Sequence, residues 1–250
     1  MKNLSDQQKG SFLAFVAVML ITPDSIFIRL SNIETWGMLF YRGAIPFIVV
    51  LTGLIFFYKN NLFKAIVNIG YPGIFYIISF SICNITFIIS IQNTNVANTL
   101  VMIAMAPMLS AILGSVFLKE IPDRKTWIAI IITLISVTYI FHDSIEMGNF
   151  YGDLFGIITA FGLACNAVIA RYAKNKDLVP SALIGKLCVA IFALFFVDNF
   201  SLLGTDLIIV PVMCVMCVAI PFVLVTIAPR FIPAEEVNLF FLLETIIGPF

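Results

Sequence analysis

The chain has 250 residues, of which 61% are hydrophobic and 11% are charged, and its formal net charge is zero. A soluble domain is about 45–50% apolar and about 25% charged, so this chain has too few polar side chains to cover a water-facing globule. Its excess apolar surface is expected to face lipid, and the zero net charge gives no electrostatic basis for binding nucleic acid.

Apolar stretches separated by short polar connectors predict nine helices. In chain order they cover residues 10–29, 36–58, 69–91, 94–118, 126–141, 151–171, 181–198, 207–229 and 236–250. Most approach the roughly 20 residues that cross a bilayer, although the fifth, seventh and ninth are shorter. Pro23, Pro107 and Pro221 are expected to interrupt the helices that contain them. The apolar runs do not alternate with period two, which excludes an outer-membrane barrel.

Basic residues are concentrated in alternate connectors. If the N-terminus is cytoplasmic, the cytoplasmic segments hold eleven of the fourteen Lys and Arg residues, and the external connectors hold only Arg29. Arg42 and Lys186 lie within helices. This distribution follows the positive-inside rule. The frequent use of Phe, Ile and Asn is typical of an AT-rich bacterial genome, so the sequence predicts a multi-pass protein of the bacterial inner membrane.

The two halves of the chain resemble each other, because residues 10–29 align without a gap on residues 152–171. The matched pairs, at a constant offset of 142, are Gly10 with Gly152, Asp24 with Asn166, and Arg29 with Arg171. Two extra residues in the next connector bring Arg42 opposite Lys186. Five helices separate equivalent points, so the halves are predicted to have opposite orientations. In secondary transporters such inverted repeats place the substrate near the bilayer midplane.

Several segments resemble the EamA-type permeases of the drug/metabolite transporter superfamily. Residues 98–140, "NTLVMIAMAPMLSAILGSVFLKEIPDRKTWIAIIITLISVTYI", resemble the fourth and fifth helices of that family, with Pro107 in mid-helix and Glu120 closing the fourth. Arg42 matches a basic residue early in the second helix, and "NLFFLLETIIGPF" resembles the start of the ninth.

The resemblance implies an all-α integral membrane fold of ten helices in two inverted repeats of five, with both ends cytoplasmic. About nine of the ten helices are expected here. The first repeat would cover residues 1–141 with helices 1–5, and the second, C-terminally incomplete, residues 142–250 with helices 6–9.

Charged and amide side chains inside the predicted helices are the functional candidates, because an ionised group at a helix centre costs at least about 2.5–3.5 kcal/mol. The candidates for substrate binding are Arg42, Lys186, Glu244, Asn84, Asn166 and Asn238. In the family, the helix that contains Glu244 lines the central cavity. A carboxyl group at that depth can bind a substrate amine or carry a coupling proton.

Asp24 and Arg42 lie at similar depths in adjacent predicted helices, about 9 Å from the external interface at 1.5 Å per residue. They are predicted to pair, either as a gate or substrate clamp or as a permanent ion pair. Lys186 occupies the mirrored position of Arg42, but the matched acid is replaced by Asn166. Lys186 either extends to the inner interface or meets an anionic group of the substrate.

These features predict a secondary transporter that moves a small polar, amino-acid-like metabolite by alternating access. The alternative is a membrane-embedded enzyme that acts on a lipid or isoprenoid. The sequence contains no nucleotide-binding loop and no catalytic constellation, and Cys214 and Cys217 are interpreted as small apolar residues of one helix. Neither enzyme activity nor a metal or other cofactor is therefore expected. The partners expected are a small-molecule metabolite and the lipid bilayer, while a homodimer is left open.

Overall fold

The computed structural model describes residues 5–121 and 150–247, together with residues 124, 127, 128, 131, 132 and 135 between them. All regular structure within these residues is helical. The predicted fifth helix, 126–141, falls largely outside the described residues. The all-helical prediction is confirmed for the part of the chain that the structure describes.

Eight main helices make up the described part of the chain. They are α1 Asp6–Leu30, α2 Thr35–Tyr58, α3 Gly70–Asn93, α4 Val96–Phe117, α5 Phe150–Tyr172, α6 Val179–Leu194, α7 Asp206–Arg230 and α8 Ala234–Ile247. A short helix, Leu62–Val67, lies between α2 and α3. The eight main helices agree with the predicted ones to within four residues at either end. Apolar runs become helices because only internal hydrogen bonds can satisfy their backbone in lipid.

Six of these eight helices, α1 to α5 and α7, are long and apolar enough to cross a membrane. The other two are shorter, with 16 residues in α6 and 14 in α8. The chain is therefore a multi-pass membrane protein with an all-helical fold.

Three of the helices are interrupted close to a proline, as the sequence predicts. Pro23 separates the two segments of α1, and the interruption in α4 comes just before Pro107. In α7 a π-helical turn, Cys214–Ala219, comes just before Pro221. Proline lacks a backbone N–H and its ring clashes with the carbonyl one turn earlier, so the preceding turn is loosened.

Two apolar clusters form the core among α2, α3, α6 and α7. We name them the Leu39 cluster and the Leu54 cluster after their members on α2. Arg42 lies between the two clusters along α2. Asn84 and Lys186 have the same intermediate position along α3 and α6. The polar residues therefore form a layer at mid-depth, between two apolar regions.

Gly43 allows α2 and α6 to cross closely beside this polar layer. A Cβ atom at Gly43 would lie 2.8 Å from the carbonyl oxygen of Lys186 and 2.6 Å from the backbone nitrogen of Ala190. Any larger residue would push the helices apart. The crossing thus fixes where Arg42 and Lys186 enter the interior.

Candidate functional site

A cavity of about 870 Å³, including the part open to solvent, lies in the polar layer between the two apolar clusters. Its lining includes all the residues that the sequence proposes, namely Asp24, Arg42, Asn84, Asn166, Lys186, Asn238 and Glu244. They come from α1, α2, α3, α5, α6 and α8. Residues that are distant in the sequence thus converge on one space.

Asp24 and Arg42 form a buried ion pair at one side of the cavity. Nη1 of Arg42 donates a hydrogen bond of 2.5 Å to Oδ1 of Asp24. The guanidinium group also lies 5.6 Å from the ring centre of Phe87 and 3.9 Å from Sδ of Met213. Its positive charge is therefore compensated by a carboxylate at contact distance.

Lys186 reaches a neutral partner instead of a carboxylate. Its Nζ donates a hydrogen bond of 2.5 Å to Oδ1 of Asn84, and the amide of Asn84 donates in turn to the carbonyl oxygen of Phe80 at 2.8 Å. The ammonium group also lies 5.4 Å from the ring centre of Phe80 and 5.6 Å from that of Phe222. These contacts stabilise a cation without neutralising its charge.

One of the two predictions for Lys186 is wrong, because its ammonium group does not extend to the inner interface. The residue is 1% exposed, and its Nζ is directed to Asn84 in the interior. The contacts of the side chain are with Asn84 and Phe80 on α3 and with Phe222 on α7. An ammonium group held at this depth needs polar partners, which Asn84 and the aromatic rings supply only in part.

Three further residues that line the cavity carry polar atoms without a hydrogen-bond partner among the described residues. Asn238, Phe241 and Glu244 recur every three residues on one face of α8, and Asn166 lies on α5. Nδ2 of Asn238, Oε1 of Glu244 and Oδ1 of Asn166 have no hydrogen-bond partner within the described residues. Since buried polar groups are nearly always hydrogen-bonded, these three atoms mark a place that a polar ligand or water can complete.

The sequence profile of the EamA-like transporter family matches residues 8–142 of this chain. That range is more than half of the 250 residues. The chain belongs to the EamA-like transporter family. The prediction of this family from the sequence is confirmed, and nothing in the family match supports the enzyme alternative.

The fold of this EamA-like protein is shared with a solved structure of another protein. That crystal structure covers 96% of this chain, and this chain covers 86% of it, with a TM-score of 0.68 and 12% sequence identity. At this identity the likeness shows the fold alone. A search of curated proteins finds no match.

The aromatic surroundings of Lys186 in this EamA-like protein are not among the residues proposed from the sequence. Phe80 comes one helical turn before Asn84, so the i, i+4 spacing on α3 is a signal that could have linked the two. Tyr76 stacks on Phe80 with 5.7 Å between ring centres, and its hydroxyl lies 3.0 Å from Oγ1 of Thr226 on α7. No spacing in the sequence connects Phe222 with Lys186.

Proposed function

We propose that this EamA-like protein is a secondary transporter that moves a small amino-acid-like zwitterion across the bacterial inner membrane. One observation carries the proposal. The cavity contains a buried ammonium group, Lys186, that no carboxylate contacts within the described residues, and a buried carboxyl group, Glu244, with an unpartnered oxygen. A zwitterion supplies the two complementary charges.

The substrate carboxylate is placed in this proposal at Lys186 and its ammonium group at Glu244. Nδ2 of Asn238 can donate to the carboxylate, and Oδ1 of Asn166 can accept from the ammonium group. Both charges of the substrate are then paired, which is required because removing an unpaired charge from water is costly. The rings of Phe80 and Phe222 offer an apolar surface to the rest of the molecule.

We infer that the chain consists of two inverted repeats, residues 1–141 and 142–250, of a ten-helix fold. Contacts of the matched glycines support this division. A Cβ atom at Gly10 would meet Ile232 at the α7–α8 junction, and one at Gly152 would meet Thr94 at the α3–α4 junction. The junctions are equivalent in the two repeats, and each glycine packs against the junction of the other repeat.

The matched arginines contact the same two junctions. Arg29 donates a hydrogen bond to the carbonyl oxygen of Thr94, and Arg171 donates one to that of Pro229 at 3.5 Å. Each arginine thus binds at or next to the junction within its own repeat, and Arg171 also forms an ion pair of 2.9 Å with Glu120 of the other repeat. This equivalence is expected of a two-fold relation between the halves. Together with the matched cavity residues, Asp24 with Asn166 and Arg42 with Lys186, it supports an inverted repeat built around one central site.

The proposed symmetry supports transport by alternating access. Two halves with the same fold and opposite orientation can exchange their conformations, so that the cavity opens to each side in turn. In this proposal the N-terminus is cytoplasmic, and the Asp24–Arg42 pair either acts as a gate or holds α1 and α2 together throughout the cycle.

The experiment that tests this proposal is uptake of an equimolar, isotope-labelled mixture of the proteinogenic L-amino acids into proteoliposomes. We expect selective uptake by the wild-type protein and none by protein-free liposomes. Lys186→Met removes the positive charge and retains most of the side-chain volume, and it is expected to reduce the uptake rate by about tenfold or more.

Lys64→Met is the matched control. Lys64 is exposed on the short helix Leu62–Val67, outside the cavity. We expect this variant to transport at the wild-type rate. Absence of uptake of every amino acid by folded wild-type protein, or equal uptake by Lys186→Met and wild type, would contradict the proposed function.

A further inference from the structure

Glu244 lines the cavity, and no cation of the described residues lies at contact distance from it. The charged residues that line the same cavity are Asp24 on α1, Arg42 on α2 and Lys186 on α6. Arg42 is hydrogen-bonded to Asp24 and Lys186 to Asn84, each at 2.5 Å, so both cations are already engaged.

The other helices contribute neutral groups to the cavity. The polar and titratable ones among them are Tyr76, Cys83 and Asn84 on α3, Thr159 and Asn166 on α5, Cys217 on α7 and, on α8 itself, Asn238. Glu244 is 2% exposed, and its Oε1 is unpartnered within the described residues. Its carboxylate thus has neither a cation nor a hydrogen-bond donor on that oxygen.

A buried carboxylate in this position is stabilised by taking up a proton, because a neutral carboxyl group avoids the cost of an unpaired charge in a low-dielectric interior. A substrate ammonium group placed at the same oxygen supplies the missing positive charge by another route. The proton and the ammonium group therefore compete for Glu244. Binding of either one lowers the affinity of Glu244 for the other by the same factor.

We propose that Glu244 is the proton-coupling residue and that the protein exchanges a proton for its substrate. This inference rests on the proposed function. In the empty carrier the carboxyl group holds a proton. Binding of the substrate ammonium group releases that proton to the water on the side to which the cavity is open. After the substrate leaves on the other side, Glu244 takes up a proton there, and the protonated carrier returns.

The stoichiometry follows because Glu244 is the one cavity carboxyl group, among the described residues, that no cation contacts. Each cycle moves one zwitterion in one direction and one proton in the other. Because the zwitterion has no net charge, one positive charge crosses the membrane per cycle. A pH gradient and the membrane potential should therefore both drive the transport.

The first test measures proton release in weakly buffered detergent solution at neutral pH. The probe is the mixture of proteinogenic L-amino acids, adjusted beforehand to the pH of the protein solution. We expect the wild-type protein to release about one proton per bound amino acid, and Glu244→Gln to release none. Glutamine keeps a carbonyl oxygen that can accept from the ammonium group, so binding is weakened without being abolished.

Glu34→Gln is the matched control, because Glu34 is an exposed carboxyl group in the α1–α2 connector. It is expected to release protons as the wild type does. Proton release by Glu244→Gln equal to that of the wild type would overturn the assignment of Glu244.

The second test uses proteoliposomes whose interior is more acidic than the medium. The wild-type protein should accumulate the transported amino acid above the outside concentration, whereas Glu244→Gln should only equilibrate it. Wild-type uptake that does not depend on the pH gradient would overturn the proton coupling but not the proposed transport function. Absence of wild-type uptake would overturn the proposed function, and this inference with it.

Discussion

Two buried cations of the cavity differ in the charge of their partners. Arg42 contacts the carboxylate of Asp24, whereas Lys186 contacts the neutral amide of Asn84. A cation that is already paired with a carboxylate gains little from a second anion, but one that is held only by an amide and aromatic rings gains a full countercharge. This difference is why the substrate anion is assigned to Lys186.

The Asp24–Arg42 pair leads to a stability prediction. Asp24→Asn leaves the Arg42 charge buried without its carboxylate, and it is expected to reduce the free energy of unfolding by about 3–5 kcal/mol. The double variant Asp24→Asn, Arg42→Met removes both charges and should recover most of this loss. Thermal denaturation in detergent, with uptake measured in parallel, checks both expectations.

Uptake by the double variant separates the two roles of the pair. A stable double variant that still transports indicates a permanent ion pair, whereas a stable one that does not transport indicates a gate. If Asp24→Asn alone is as stable as the wild type, the ion pair between Asp24 and Arg42 does not contribute to the free energy of unfolding, which contradicts this prediction.

At the scale of the elements, the crossing of α2 and α6 positions both cations. Gly43 and Gly53 lie on the same helix and have different surroundings. A Cβ atom at Gly43 would overlap α6, whereas one at Gly53 would meet nothing within 4 Å. The two glycines thus offer a matched comparison within one helix.

Gly43→Ala is expected to reduce the free energy of unfolding by about 1–3 kcal/mol, because the added methyl group has no space beside Ala190 and Lys186. Gly53→Ala should be neutral or stabilising by up to about 1 kcal/mol, since alanine favours the helix. Thermal denaturation of both variants in the same detergent is the measurement. Equal effects of the two substitutions would show that the close crossing does not determine stability.

The sequence predicts the helices well because run length and proline positions are local features. Pro23, Pro107 and Pro221 each accompany an interruption, as expected. The cavity residues could be proposed for a related reason, since charged and amide groups are rare inside membrane helices. The sequence does not show that Lys186 meets Asn84, because that contact depends on how α3 and α6 are rotated about their axes. Both helices are apolar on most sides, so no polar stripe indicates which face is buried.

For the whole molecule, the proposed inverted repeat predicts that the matched residues of the two halves occupy equivalent positions. The matched glycines and arginines contact residues at or next to the α3–α4 and α7–α8 junctions, while the remaining matched residues line the cavity. Of these, the glycine contacts near the starts of α1 and α5 join one half of the chain to the other.

The measurement that tests this account most directly is two-sided accessibility of Cys217, which lines the cavity from α7. The other four cysteines are replaced by alanine, and a membrane-impermeant, methanethiosulfonate-type reagent is added to either face of oriented vesicles. Alternating access to one central site predicts that Cys217 is modified from both faces and that the transported amino acid slows the modification in each case. Modification from one face only, or modification that the amino acid does not slow, would contradict alternating access to a single central site.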